Sequence, residues 1–264
     1  VTTDPAQEAG LLELAGESAT IAARYEAGEA FLRRAIAIHR ALGDRPAVAR
    51  ATAALGRTLL EGSHTPAARA VLEPAAAELA DLADHPDGVA LFSQLARMLF
   101  IADDYVEAVE VADQVLAVAE RNDLVRVIAD TLVTKGSALD FLGRSHEGWG
   151  LVEAGRRLAE TNGLESVALR ARNNLCWFLG EDDPRGAMEA SQGALELSRR
   201  LGERHRLCIL LQNLASAALH AGEWDAALAE LEAALEEDFE ALDRVSLLGN
   251  VHAIRAARGE PTDA

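Results

Sequence analysis

Leucine returns every forty residues, at Leu59, Leu99, Leu139, Leu179 and Leu219. Three positions before each stands a small residue: Gly56, Ala96, Gly136, Cys176 and Ser216. Residues three apart share one face of a helix, and no stretch alternates with period two for long. Each period therefore reads as two amphipathic helices. The first of each pair (A) is predicted near 46–61, 87–102, 124–142, 165–180 and 205–221. The second (B) is predicted near 65–82, 105–121, 146–161, 184–201 and 225–237. A fixed period of this length marks a solenoid, in which no repeat buries its apolar face alone and neighbours stack to form the core.

Turn chemistry fits this division. Gly62-Ser63-His64, Asp103-Asp104, Gly143-Arg144-Ser145, Glu181-Asp182-Asp183 and Gly222-Glu223 separate the paired helices, and such residues suit helix ends and N-caps. Pro46, Pro66, Pro86 and Pro184 fall at helix starts, where the missing N–H costs nothing. Pro74 lies inside a B helix and predicts a kink or break there. The B helices carry small residues of their own: Ala68, Ala108, Gly148, Ala187 and Ala227, then seven residues later Ala75, Val115, Gly155, Ala194 and Ala234. Small residues two turns apart admit a close neighbouring helix. All these columns are read as packing positions. Residues 25–42 read as a further B helix with Ala30 and Ala37 in the columns, and 5–23 as its A helix. A last A helix near 239–258 follows from the match of Asn250-Val251-His252-Ala253 to Asn213-Leu214-Ala215-Ser216. The sum is about thirteen helices in one repeat domain, 1–264, with units 5–42, 46–82, 87–121, 124–161, 165–201 and 205–237 before the final helix. The chain begins with Val1, which suggests a fragment of a longer protein or a processed product.

Composition narrows the chemistry. The net charge of −18 opposes a nucleic-acid backbone, and no dense Lys/Arg run offsets it. No apolar run is long enough to span a membrane. Cys176 and Cys208 have no metal-ligand spacing, and both suit a reduced, cytoplasmic setting. The seven histidines are scattered, and neither a phosphate loop nor a nucleophile elbow is present. The sequence thus predicts no catalytic residues, no metal and no cofactor.

The columns resemble the tetratricopeptide repeat family, whose helix pair has a small residue at position 8, a large one at 11, alanine at 20 and a small residue at 27. Gly56, Leu59, Ala68 and Ala75 fill those places, as do Ala96, Leu99, Ala108 and Val115. Asp104-Tyr105-Val106-Glu107-Ala108 and Gly222-Glu223-Trp224-Asp225-Ala226-Ala227 look like the family's turn into helix B. The period is 40 where the family has 34. This looks like the long variant in large bacterial regulators: maltose-regulator-type and LuxR-type activators with a signal-transducing ATPase domain, and some nucleotide cyclases. Ala41-Leu42-Gly43-Asp44 is typical of that variant, and Arg200-Leu201-Gly202-Glu203 echoes it. A HEAT-type repeat is the alternative architecture, disfavoured by the small-residue columns.

The resemblance implies an all-α, right-handed superhelix whose A helices line a concave face, with positions 2, 5, 9 and 12 directed inward. Counting from each position 8 gives candidate binding residues Arg50, Arg57, Arg97, Phe100, Asp130, Ser137, Asp140, Arg170, Asn173, Trp177, Asn213, His220 and Asn250. Arginine can grip a carboxylate with a fork of donors, asparagine can pair with peptide N–H and C=O, and an exposed tryptophan suits a binding hot spot. Asn173, Asn213 and Asn250 share a column, as a peptide-clamping ladder would. The function so implied is binding of a protein or peptide partner in a regulatory protein. The alternative is control of an ATPase or cyclase domain on the same polypeptide, with a small-molecule inducer held by the arginines and Trp177.

Overall fold

The computed structural model describes residues 4–180, 182–237, 239 and 241–260, apart from the side chains of residues 205 and 242. Every regular element among them is helical: α1 Pro5–Ile21, α2 Tyr25–Leu42, α3 Arg45–Glu61, α4 Thr65–Glu78, α5 Pro86–Ile101, α6 Tyr105–Arg121, α7 Val125–Phe141, α8 Ser145–Thr161, α9 Glu165–Leu179, α10 Pro184–Leu201, α11 Arg204–Ala221, α12 Trp224–Leu235 and α13 Ala241–Ala257, with a 3-10 turn at Ala80–Leu82. The protein is all-α, and the thirteen helices among the described residues stand where the periodicity places them.

Local chemistry sets the boundaries. The side chains of Asp4, Asp44 and Asp183 accept from the backbone N–H groups of Ala6, Ala47 and Gly186, which capping requires at a helix start. Gly43 and Gly202 close α2 and α10 at φ of +71° and +72°. In both cases the next residue's N–H reaches back to a carbonyl five positions earlier, Asp44 to His39 and Glu203 to Ser198. That is the Schellman closure, and it explains why the Leu-Gly-acid motif recurs between pairs. The turns inside the first four pairs share a left-handed residue at one column: Ala23, Ser63, Asp103 and Gly143.

The chain divides into two compact units, Val1–Ala168 and Leu169–Ala264. In the first, α1 to α8 form four successive antiparallel pairs. Each helix packs on the next, and each A helix also packs on the A helix of the following pair (α1 on α3, α3 on α5, α5 on α7). The predicted columns are the seams of this packing. A Cβ on Gly56 would lie 2.6 Å from Leu72, one on Gly136 would lie 2.5 Å from the Gly148 carbonyl, and one on Gly16 would lie 2.5 Å from Leu32. Ala68, Ala108 and Ala75 are buried in the B column. In the second unit, α11 packs on α10, α12 and α13 around Leu195, Leu210, Leu214, Leu231 and Leu247.

Three expectations change. Helix α4 runs through Pro74 and ends only at Glu78. Pro74 and Ala70 are both exposed, so water can meet the carbonyl that the proline leaves unpaired. In α2 the column residues are Gly28 and Ala35, both buried, whereas Ala30 and Ala37 are exposed. Gly28 and Ala35 are the positions forty residues before Ala68 and Ala75. In α11 the column residues are Ala215 and Ala218, fully buried, whereas Ser216 is exposed and Leu219 half-buried. The chain has one residue fewer between Cys176 and Ala187 than between Gly136 and Gly148. Every later position therefore moves up by one.

Candidate functional site

The A-helix face of the first unit is built by α3, α5 and α7, and packing decides which of its residues a ligand can reach. Ala53, Leu60, Ser93, Arg97, Val133 and Ser137 are buried between neighbouring A helices. The Ser137 hydroxyl donates to the Val133 carbonyl at 2.8 Å, and the hydroxyls of Ser93 and Thr131 meet across α5 and α7 at 2.9 Å. Arg57, Phe100, Asp130 and Asp140 are half-buried, and Arg50 is exposed.

The charges on this face are unevenly matched. Arg50 donates through Nε and Nη2 to Glu13, at 2.9 and 3.0 Å, and lies 3.5 Å from Asp87. Arg97 donates through Nη2 to Glu61 at 2.7 Å, but its buried Nε has no partner among the described residues. On the same helix, Gln94 donates to Asp130 at 3.3 Å while its own buried Oε1 has no partner among the described residues. Arg57, one turn before Glu61 on α3, makes no ion pair or hydrogen bond among the described residues, and neither does the side chain of Asp140. Such gaps are uncommon, because buried polar atoms are nearly always paired.

Where α5 meets the end of α7, an aromatic group forms the border of this face. Tyr105 and Phe141 stack at 4.7 Å between centroids, and Phe100 lies 6.1 and 6.0 Å from them. Ile101, Phe141 and Leu142 leave 39%, 49% and 39% of their surface exposed. Of these, Phe100 stands at an inward position of the repeat register, whereas Tyr105 and Phe141 do not. Phe141 is marked instead by the column Ile101–Phe141, forty residues apart and apolar at an exposed position.

The second unit holds the remaining candidates. Arg170 is buried, and Trp177 is 61% exposed on α9. Asn213 donates to Asn173 at 3.1 Å, and Asn173 donates to Asn174 at 3.3 Å. Asn250 turns its amide to the Ser246 carbonyl of its own helix, and the His220 ring lies 2.8 Å from the Ser216 carbonyl. Two members of the asparagine column thus pair with each other, and the third is held locally. Counted from Ala215, the inward positions of α11 are Ile209, Gln212, Ser216 and Leu219. Leu210 and Ala217, inward by the count from Ser216, are buried. Trp224 packs against the core of this unit, its indole N–H without a partner among the described residues, and Trp149 in the first unit is half-exposed.

Neither cysteine is placed for nucleophilic work. Both are buried and free. Burial pushes the Cys208 thiol up to about 11, against a weaker opposing hydrogen bond from Gln212, and burial likewise raises Cys176. At pH 8 a thiol reagent will label the native chain far more slowly than the urea-unfolded chain, which will release two thiols. Fast labelling of either in the native state would refute this. Among the described residues no group of three or more His, Cys, Asp or Glu side chains could hold a metal ion, and no helix is long and apolar enough to cross a membrane.

Paired antiparallel helices with small-residue seams and A-on-A stacking define the tetratricopeptide-like repeat fold. Solved structures share it. One is a Podosopora anserina protein described as a kinesin light chain with nearly identical tetratricopeptide-like repeats, 19% identical over 82% of this chain and 99% of that one, TM-score 0.50. A single-substitution variant of that protein is 20% identical over 81% and 97%, TM-score 0.51. No protein-family model matches the chain, and no curated protein does.

Proposed function

We propose that this is a protein- or peptide-binding module without catalysis of its own, and that the A-helix face of α3, α5 and α7 is its binding surface. Repeat proteins bind on the extended surfaces that stacking creates. The observation that carries the reading is Arg57, half-buried on this face and without an ion pair or hydrogen bond among the described residues. A guanidinium with its donors to spare suits a carboxylate, at a peptide C-terminus or on an acidic side chain. Phe100 at the border of the face offers apolar contact to the neighbouring residue, and Asp140 a carboxylate for a basic one. Arg50, Asp130 and Ser137 frame this surface. In the second unit, Arg170, Asn173, Trp177, Asn213, His220 and Asn250 make a separate candidate surface, of which Trp177 and His220 are the exposed parts. The forty-residue period and the Ala41–Asp44 linker favour a place in a bacterial regulatory protein, where the partner is a peptide, another protein or another domain of the same polypeptide.

Arg57→Glu tests the reading with little risk to the fold, since Arg57 has no partner to lose. A partner captured from the source cell's lysate by the wild-type chain should bind the variant about tenfold or more weakly, the scale of one lost charge-assisted contact. Helicity and melting should stay unchanged. Equal binding by both chains would move the interface elsewhere, and the absence of any captured partner would favour the intramolecular role.

A further inference from the structure

The aromatic border of the first unit is an exposed apolar patch with unmatched acids on its rim. Tyr105 and Phe141 stack with 12° between their ring planes, and Phe100 tilts against both. Ile101 and Leu142, the chain neighbours of Phe100 and Phe141, carry the exposed apolar surface to the ends of α5 and α7. Two carboxylates adjoin it. Asp103 accepts from the Tyr105 hydroxyl at 2.5 Å. Asp140, half-buried, is the counterpart of Phe100 one repeat on, so the two share the face of neighbouring A helices. Neither acid makes an ion pair among the described residues, and the positions outside that set hold no lysine or arginine. The basic residues nearest in the chain already have acids: Arg97 pairs with Glu61, Lys135 with Asp113 and Arg144 with Glu147, at 2.7, 2.6 and 2.6 Å. Asp104, by contrast, is matched by Arg69.

Exposed ring faces and spare carboxylates together select one kind of side chain. An aromatic face attracts a cation seated within about 6 Å of its centre. An ammonium is compact and strongly hydrated, whereas a guanidinium is planar and weakly hydrated, stacks on a ring, and still offers a fork of N–H donors to a carboxylate. We infer that this patch docks an arginine of a protein partner, its guanidinium laid on the Tyr105–Phe141 stack and paired with Asp103 and Asp140, with apolar neighbours of that arginine on Ile101 and Leu142. The chain holds a precedent: one repeat before Ile101 the same column carries Glu61, and Glu61 accepts from an arginine, Arg97. This site rests on the proposed use of the A-helix face and adds a second requirement to its partner, an arginine at the aromatic border as well as a carboxylate for Arg57. The net charge of −18 favours encounter with such a basic segment.

The chain has two tyrosines, Tyr25 and Tyr105, so isotope-labelled tyrosine read by NMR gives one reporter in the patch and one control outside it. The probe is the peptide acetyl-Ala-Leu-Arg-Leu-Ala-amide, capped so that it offers no carboxylate to Arg57, titrated into the full chain to about 10 mM, past a Kd of about 1 mM. Tyr105 should shift to saturation and Tyr25 should not. The same peptide with citrulline, which keeps the shape and loses the charge, should bind about tenfold more weakly, the scale of a charge-assisted contact. Asp103→Asn/Asp140→Asn should weaken the arginine peptide by about as much, with circular dichroism unchanged. Asparagine can keep the Tyr105 hydrogen bond and tolerates the left-handed backbone at 103. A silent Tyr105, equal affinity for the two peptides, or an unaffected double variant would each overturn the proposal. Arg57→Glu should leave probe binding intact. A natural partner lost on Arg57→Glu beside a silent Tyr105 would therefore remove the arginine site and leave the proposed function standing. Probe binding beside a partner indifferent to Arg57→Glu would do the reverse.

Discussion

Gly136→Ala will destabilise the first unit more than the chemistry of one methyl group suggests. The new Cβ would sit 2.5 Å from the Gly148 carbonyl oxygen and 3.0 Å from the Val152 backbone nitrogen. Backbone atoms cannot rotate away, so α7 and α8 must separate along their length. Overpacking of this kind costs about 1–3 kcal/mol, occasionally more, and alanine's better helix propensity returns ~1 kcal/mol. The Val152 Cγ2 methyl at 2.8 Å can turn aside but the backbone atoms cannot, so the clash falls at the upper end, for a net loss of about 2 kcal/mol and a fall in melting temperature of roughly 4–8 °C. Gly150→Ala, on the open side of α8 with no atom within 4 Å, should instead gain ~0.5–1 kcal/mol. Urea and thermal unfolding of the two variants should therefore bracket the wild type. If both stabilise, the close approach of α7 and α8 is wrong.

Glu13→Ala should cost as much through a different route. Glu13 is 9% exposed, accepts twice from Arg50, and holds the buried His39 ring at 2.7 Å through Nε2. His39 Nδ1 already lacks a partner among the described residues. Removing the carboxylate leaves the imidazole with neither nitrogen paired, while Arg50 keeps only Asp87. An orphaned buried polar group and a broken partly buried ion pair together cost about 2–3 kcal/mol. Glu29→Ala, which breaks an exposed pair with Arg33, should change stability by less than ~0.5 kcal/mol. Denaturant midpoints for the two variants make the comparison, and equal midpoints would show that the Glu13 network contributes nothing beyond a surface pair.

Most of the helix plan was readable because the constraint is steric and local. Gly56, Ala96 and Gly136 must be small wherever a partner helix crosses, and the crossing recurs at a constant interval. The reading slipped where that regularity did. In α2, an alanine-rich helix offers an alanine at almost any phase, so Ala30 and Ala37 could stand in for Gly28 and Ala35. In α11, one residue fewer before Ala187 put Ser216 where Ala215 belongs. The candidate site was harder to read. A helical position that points inward can end on the open face, as Arg57 does, or between two A helices, as Arg97, Ser93 and Ser137 do. The interval between repeats does not encode which. Glu61, which fixes Arg97, stands at no column the sequence marks, and Tyr105 reaches Phe141 only because α6 and α7 turn back on each other.

The seam between paired helices fixes the size of the piece that can be exchanged. Gly16 faces Leu32, Gly56 faces Leu72 and Gly136 faces Val152, and the same register sets two buried alanines, Ala96 and Ala112, in the third pair. Each hairpin has divided one fixed volume between its two helices in its own way. Transplanting α3 alone to stand before α6 would join Gly56 to Ala112 and leave a void, and the reciprocal graft would force Ala96 onto Leu72. Whole hairpins carry their division with them. The chain is therefore modular in steps of two helices, and recombinants cut between pairs should fold where those cut within pairs do not.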